Sequence, residues 1–280
     1  MRFDWRTQPD DEIERHFNPR VAVADAEDKL ARFAATSQAA RAMVHGELDI
    51  RYGERPKETL DIFPAGDGAP VQFFIHGGFW RRLDKSDHSF LAPPMVAAGV
   101  THVSVNYDLC PDVTLDVIVE EVRAGLAWTA ANIADYGGDP ERIYVAGHSA
   151  GAHLAAMLLN DAASLPLIRG AACLSGIYEP EVVMHTSVNA DVRLDRTMAV
   201  RHDCVRQPPL RPLPLLIAAG GAEPEGWRQQ SRAYAAACVA NGATADHLTI
   251  DGADHFTLLL DAADGDAQLT RAMLAQINAG

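Results

Sequence analysis

Two hydrophobic rhythms alternate along the chain. Residues 47–52 and 58–63 alternate polar with apolar, the period of half-buried strands. Residues 71–75 form a short, nearly unbroken apolar run, the texture of a buried strand, and it stops at His76-Gly77-Gly78. Beyond it the pattern predicts a helix over 94–98, a strand over 101–106, a long helix over 115–136, a strand over 142–146 and a helix over 150–160. Strands over 170–175, 213–218 and 245–250 and helices over 227–241 and 266–279 complete the series. Strands alternating with helices of about 10–20 residues mean βαβ units, hence an α/β fold with a mostly parallel central sheet and helices on both faces.

Two segments depart from this rhythm. Residues 1–45 read as an N-terminal helical extension. Asp10 and Asp11 are placed to cap a short helix carrying Ile13 and Phe17, Asn18-Pro19 breaks it, and an amphipathic stretch over 25–44 follows with Leu30, Phe33, Ala34 and Met43 among its apolar positions. Residues 179–212 hold Pro180, Pro208, Pro209 and Pro212 and predict a short irregular cap insertion over the carboxyl edge of the sheet, where ligands bind in such folds. No composition shift marks a second unit, so residues 1–280 read as one domain.

Composition narrows the picture. The 280 residues carry 24 Lys plus Arg against 38 Asp plus Glu, a formal net charge of −14, which argues against nucleic acid as a partner. Cys110, Cys173, Cys204 and Cys238 lie far apart and form no C-x-x-C, so they read as reduced thiols packed in the core. Residues 1–11 lack the apolar centre of a secretory signal, and no apolar run approaches the ~18 residues of a membrane span. A cytoplasmic location away from membranes is expected. No metal-ligand spacing and no nucleotide-binding loop occurs, so no metal and no cofactor is expected. The expected partner is a small-molecule substrate, and a homodimer stays open.

The sharpest motif is Gly147-His148-Ser149-Ala150-Gly151, a G-x-S-x-G between a predicted strand and a predicted helix. That context is the one a nucleophile elbow needs: a sharp turn thrusts the serine hydroxyl clear of the sheet. His76-Gly77-Gly78-Phe79-Trp80 follows an earlier buried strand. Its unshielded N–H groups at Gly77, Gly78 and Phe79, with that of Ala150, suit an oxyanion hole. His76 itself reads as a pin for this loop. The base should follow the last strand, where His255 sits in a Gly-Ala-Asp-His-Phe loop. His247 competes but falls inside a strand. The acid should follow the strand over 213–218, where Glu223 stands nearest the tip, with Glu225 and Asp254 as alternatives.

With these residues in hand, the chain resembles the α/β-hydrolases of the hormone-sensitive-lipase-like branch, and within them the serine-type arylformamidases. The likeness runs through HGGFW at 76–80, Asn106-Tyr107 with Leu109 and Pro111, GHSAGAHL at 147–154, Ser-Gly-Ile-Tyr at 175–178, Arg228-Gln229 with Ser231, and Asn18-Pro19-Arg20. It departs where Phe79 replaces the family's Tyr, where Glu181-Val182-Val183 follows Tyr178, and where Glu223 replaces Asp. The resemblance implies an α/β-hydrolase fold and hydrolysis of an N-formyl arylamine such as N-formyl-kynurenine. Ser149 would be nucleophile, His255 base and Glu223 the orienting acid. It makes Trp80 and Tyr178 candidates for substrate binding, with Phe79, Trp227 and Phe256 as further aromatic lining. The amine side of the pocket is expected beneath the 179–212 insertion. A carboxylesterase for short acyl esters is the main alternative. A binding protein on the same fold is disfavoured because every residue type the chemistry needs is present.

Overall fold

The computed structural model describes residues 3–279. The N-terminal part contains α1 (Asp10–Phe17), α2 (Pro19–Ala22) and α3 (Ala26–Met43), followed by β1 (Glu47–Arg51), β2 (Thr59–Phe63) and β3 (Ala69–Ile75). Then come α4 (Ala92–Ala97), β4 (Thr101–Val105), α5 (Leu115–Asn132), β5 (Gly138–His148), α6 (Ala150–Leu159) and β6 (Ile168–Leu174). The remainder holds α7 (Asn189–Val192), α8 (Arg196–Arg201), β7 (Pro214–Gly220), α9 (Glu225–Ala240), β8 (Thr244–Ile250), α10 (Thr257–Leu260) and α11 (Gln268–Asn278). The strands join one sheet in the order β1-β2-β4-β3-β5-β6-β7-β8. β2 pairs antiparallel with both β1 and β4, and β3 to β8 are parallel.

The inner strands sort their side chains by parity. Val71, Phe73, Ile75, Val103, Val105, Ile143, Val145, Cys173 and Ile217 turn to one face, which α1, α5, α6 and α9 cover. Phe74, Tyr144, Ala146, Leu174, Leu216 and Ala218 turn to the other, covered by α3, α4, α10 and α11. Both faces are buried, so these strands read as near-continuous apolar runs. Cys110, Cys173, Cys204 and Cys238 are free, buried thiols. No helix among the described residues is long and apolar enough to cross a membrane.

Several boundaries differ from the sequence-based expectation. Asp10 is the first residue of α1 rather than its cap, which is Pro9. The helix expected over 115–136 is α-helical only to Asn132, and a 3₁₀ turn carries it to Gly137 at φ 80°. In α3 the inward stripe runs through Ala26, Phe33, Ser37 and Ala40, while Met43 in the last turn is 75% exposed. The segment 179–212 is less irregular than its prolines suggest, because it contains a 3₁₀ turn (Pro180–His185), α7 and α8.

The N-terminal extension crosses the sheet's carboxyl edge. α1 packs on one face, where Phe17 meets Trp227 at 6.3 Å between ring centroids. α3 packs on the other, where Phe33 meets Phe90 and Phe256 edge-on at 5.2 and 6.4 Å. α2, opened by Pro19 and capped by the Asn18 side chain, is the bridge between them.

Candidate active site

β5 and α6 meet at Ser149, whose φ of 58° and ψ of −120° mark a strained turn. Two glycines make it possible. A Cβ on Gly147 would lie 2.2 Å from the Gly151 carbonyl oxygen, and one on Gly151 only 2.0 Å from that of Ile75. The Ser149 N–H donates to the Leu174 carbonyl at 2.9 Å, which ties the elbow to β6.

Two more loops reach the same edge. The loop after β7 carries Glu223 and the loop after β8 carries His255. They are joined by N–H donations from Gly221 to Ile250 O at 2.8 Å and from Ala222 to Ala253 O at 2.9 Å. Gly220 allows this approach, since a Cβ there would lie 2.3 Å from the Ala253 oxygen. Glu223 Oε1 lies 2.7 Å from His255 Nδ1, and Glu223 Oε2 accepts the Gly220 N–H at 2.8 Å. Both side chains are buried. Glu225 instead pairs with Arg228 and Arg232 at the start of α9. Asp254 accepts from the N–H groups of Phe256 and Thr257 and binds Lys29 at 2.8 Å, so it shapes the base loop and pins it to α3. His247 lies in edge strand β8, away from this group.

A further side chain that the sequence reading did not single out joins this group. Ser175, one residue past β6 and at φ 50°, donates its hydroxyl to Glu223 Oε1 and stands 3.0 Å from His255 Nδ1. With its hydrogen committed to the carboxylate, the hydroxyl can only accept at Nδ1. The Nδ1–H therefore faces two oxygens, which leaves Nε2 as the basic nitrogen. The Ser175 carbonyl accepts the Trp227 indole N–H at 2.9 Å, and that indole stands edge-on to His255 at 4.6 Å. A serine at the carboxyl end of an inner strand was the available signal, but one polar residue there has many ordinary explanations. His148 was also missed. Its ring packs 4.7 Å from that of His255 and its Nε2 meets the His255 carbonyl at 2.9 Å. Burial first, then the neighbouring imidazole, hold it neutral, well below the usual histidine range.

The loop after β3 faces the elbow. Gly77 packs against Ser149, and Gly78, Phe79 and Trp80 have φ of 109°, 53° and 55°. The N–H groups of Gly78, Phe79 and Ala150 have no protein acceptor among the described residues. His76 anchors the loop: its Nδ1 meets the Gly77 carbonyl at 2.7 Å, its Nε2 meets Asn106 Oδ1 at 3.0 Å, and its ring stacks on Tyr107 at 4.2 Å. Burial lowers its pKa to about 4. Asn106 in turn donates to Asp84 at 2.8 Å. Burial alone would raise the Asp84 pKa, but the Ser86 N–H, His76, Asn106 and Lys57 outweigh it and hold the carboxylate ionised.

Ser149 and His255 open into one cavity of about 50 Å³, lined also by Gly78, Phe79 and Phe256. Its far wall is Asn18, Pro19, Arg20, Leu30 and Phe33, all from the N-terminal extension. No residue of 179–212 lines it, which corrects the expected position of the cap. That segment spends its apolar residues Val182, Val183, Val188 and Val192 on the core beside α1. Trp80 and Tyr178 are also misplaced by the sequence reading. Both are fully buried and neither lines the cavity: Trp80 stands edge-on to His153 at 5.0 Å and Tyr178 stacks on Tyr234 at 4.3 Å. Trp227 lies behind the His255–Glu223 pair, and the aromatic lining comes from Phe33, Phe79 and Phe256. Large aromatics are as readily core as pocket, and only the packing separates the two.

A family model described as alpha/beta hydrolase fold matches residues 72–259. The chain is 30% identical over 289 residues to a kynurenine formamidase of Salmo salar, covering 96% of this chain and 97% of that protein. It is 28% identical over 292 residues to the kynurenine formamidase of Danio rerio, covering 98% of each. A Silicibacter protein solved by crystallography as a candidate thioesterase superposes with a TM-score of 0.83 at 27% identity, covering 95% of this chain and 99% of that one.

Proposed function

Because this chain belongs to the alpha/beta hydrolase family, we propose that it is a serine hydrolase that cleaves a small N-formyl arylamine, N-formyl-kynurenine being the type substrate, to formate and the free amine. The observation that carries the chemistry is the contact of Glu223 with His255 Nδ1 on the wall of the cavity into which Ser149 opens. Ser149 Oγ attacks the formyl carbon while His255 Nε2 takes its proton. The N–H groups of Gly78, Phe79 and Ala150 meet the oxyanion. Collapse of the tetrahedral intermediate breaks the C–N bond, and the imidazolium returns its proton to the departing amine. Water, activated by the same imidazole, then releases formate from the formyl-serine.

The formyl preference draws its support from similarity to formamidases over nearly the whole chain. A carboxylesterase for short acyl groups is the second reading, favoured by 38% identity over 149 residues, 47% of this chain, to the esterase LipQ of Mycobacterium tuberculosis. Formyl, acetyl and butyryl derivatives of one aryl leaving group separate the two. A tight acyl pocket discriminates by about 10–200-fold per added carbon, so turnover should fall in that order. Equal turnover of butyryl and formyl compounds would replace formamidase by carboxylesterase. Ser149→Ala should abolish either activity.

A further inference from the structure

Charge in the active-site cavity runs opposite to charge in the whole chain. The molecule carries −14, yet three arginines, Arg20, Arg81 and Arg82, line the cavity and no Asp or Glu does. Two of the three have partners: Arg20 pairs with Glu27 and Arg81 with Asp191. Arg81 is not thereby used up. The Arg81 Nε–H is buried and has no acceptor among the described residues, an arrangement that costs free energy unless something fills it. Arg82 is exposed at the cavity rim and forms no ion pair among the described residues. Its backbone is held by N–H donation to the Gly78 carbonyl at 3.0 Å, so the guanidinium rises from the loop that supplies the oxyanion donors.

We propose that Arg82, with the free edge of Arg81, is the specificity-determining pair of the cavity and binds a carboxylate carried by the leaving group. This rests on the formamidase reading in one respect: a one-carbon acyl group has nowhere to carry a charge, so the anion must sit on the amine side. An arginine fork matches a carboxylate in geometry and charge, and both guanidinium groups belong to the loop that faces Ser149. The arginines also raise the local concentration of an anion that the rest of the protein repels.

The test uses matched pairs: 3-formamidobenzoate against 3-formamidobenzamide, and 3-acetoxybenzoate against 3-acetoxybenzamide. The full-length enzyme should favour the carboxylate member by about 10-fold in kcat/KM, the scale of one charge-assisted contact, and the difference should reside in KM. Raising ionic strength should shrink it. The ratio should fall towards one in Arg82→Gln and invert in Arg82→Glu. Equal kcat/KM for the two members of a pair in the unmodified enzyme would overturn the proposal, as would a preference that survives both substitutions. The ester pair reads the charge ratio even if no formamide is cleaved, so loss of the formamidase reading and loss of the carboxylate site give different results.

Discussion

The hydroxyl of Ser175 and the imidazole of His255 converge on one oxygen, Oε1 of Glu223, with Ser175 donating to it and His255 Nδ1 at 2.7 Å. The carboxylate held against the His255 imidazole is thus itself oriented from a third strand. Ser175→Ala should lower kcat by about 10-fold, on the scale of one charge-assisted hydrogen bond, with KM little changed. A variant with unaltered kcat would reduce Ser175 to a packing residue.

Glu223→Gln tests the acid. The amide keeps the volume but can present a donor to Nδ1 and favour the wrong tautomer, so kcat should drop by about 10²–10⁴-fold while the fold persists. Glu225→Gln, which disturbs only pairs with Arg228 and Arg232, should leave kcat unchanged. Steady-state rates beside circular dichroism spectra check both.

Acid should unfold the protein steeply. Burial lowers the pKa of His76 to about 4 and those of His88, His102 and His153 to about 3, and pushes His148 down as well. Below pH 6.5 the unfolded chain binds protons that the folded one refuses, so stability falls as pH drops from 6.5 towards 3. Glu121 acts in the opposite sense: burial raises its pKa from 4.5 to about 7, so its contribution weakens folding as pH rises through that interval. Urea midpoints between pH 7 and pH 4 should show uptake of several protons on unfolding, and Glu121→Gln should steepen the dependence. A flat profile would contradict the buried, neutral state of these imidazoles.

Two glycines separate steric need from conformational freedom. Gly151→Ala would press a methyl to 2.0 Å from the Ile75 oxygen, and should cost about 3 kcal/mol or more by forcing the elbow off β3. Gly252→Ala has open space around it but sits at φ 74°, so it should cost only about 1 kcal/mol. Thermal denaturation of the two variants checks the ranking.

Ser149 and His255 could be proposed from sequence because a turn motif and a position in chain order each constrain geometry locally. Glu223 required the β7 tip and so competed with Glu225 until the Gly220 N–H contact showed which carboxylate turns inward. Ser175 gave no local sign, since its role depends on two loops that lie far along the chain. The cavity wall was misread for a related reason. A proline-rich stretch resembles a cap, but whether it covers the site depends on where its valines bury. Leu30 and Phe33, read only as the apolar stripe of a helix, turned out to close the pocket.

The bridge from α1 to α3 has a consequence for the order of assembly. One wall of the cavity, at Asn18–Arg20, precedes the first strand in chain order, and the facing wall, at His255 and Phe256, follows the last. The α3 segment can rest early on Phe90, but the two walls can face one another only once β8 has joined the sheet. Catalytic competence is therefore a late event in folding: on refolding from denaturant, sheet signals should return before hydrolysis does.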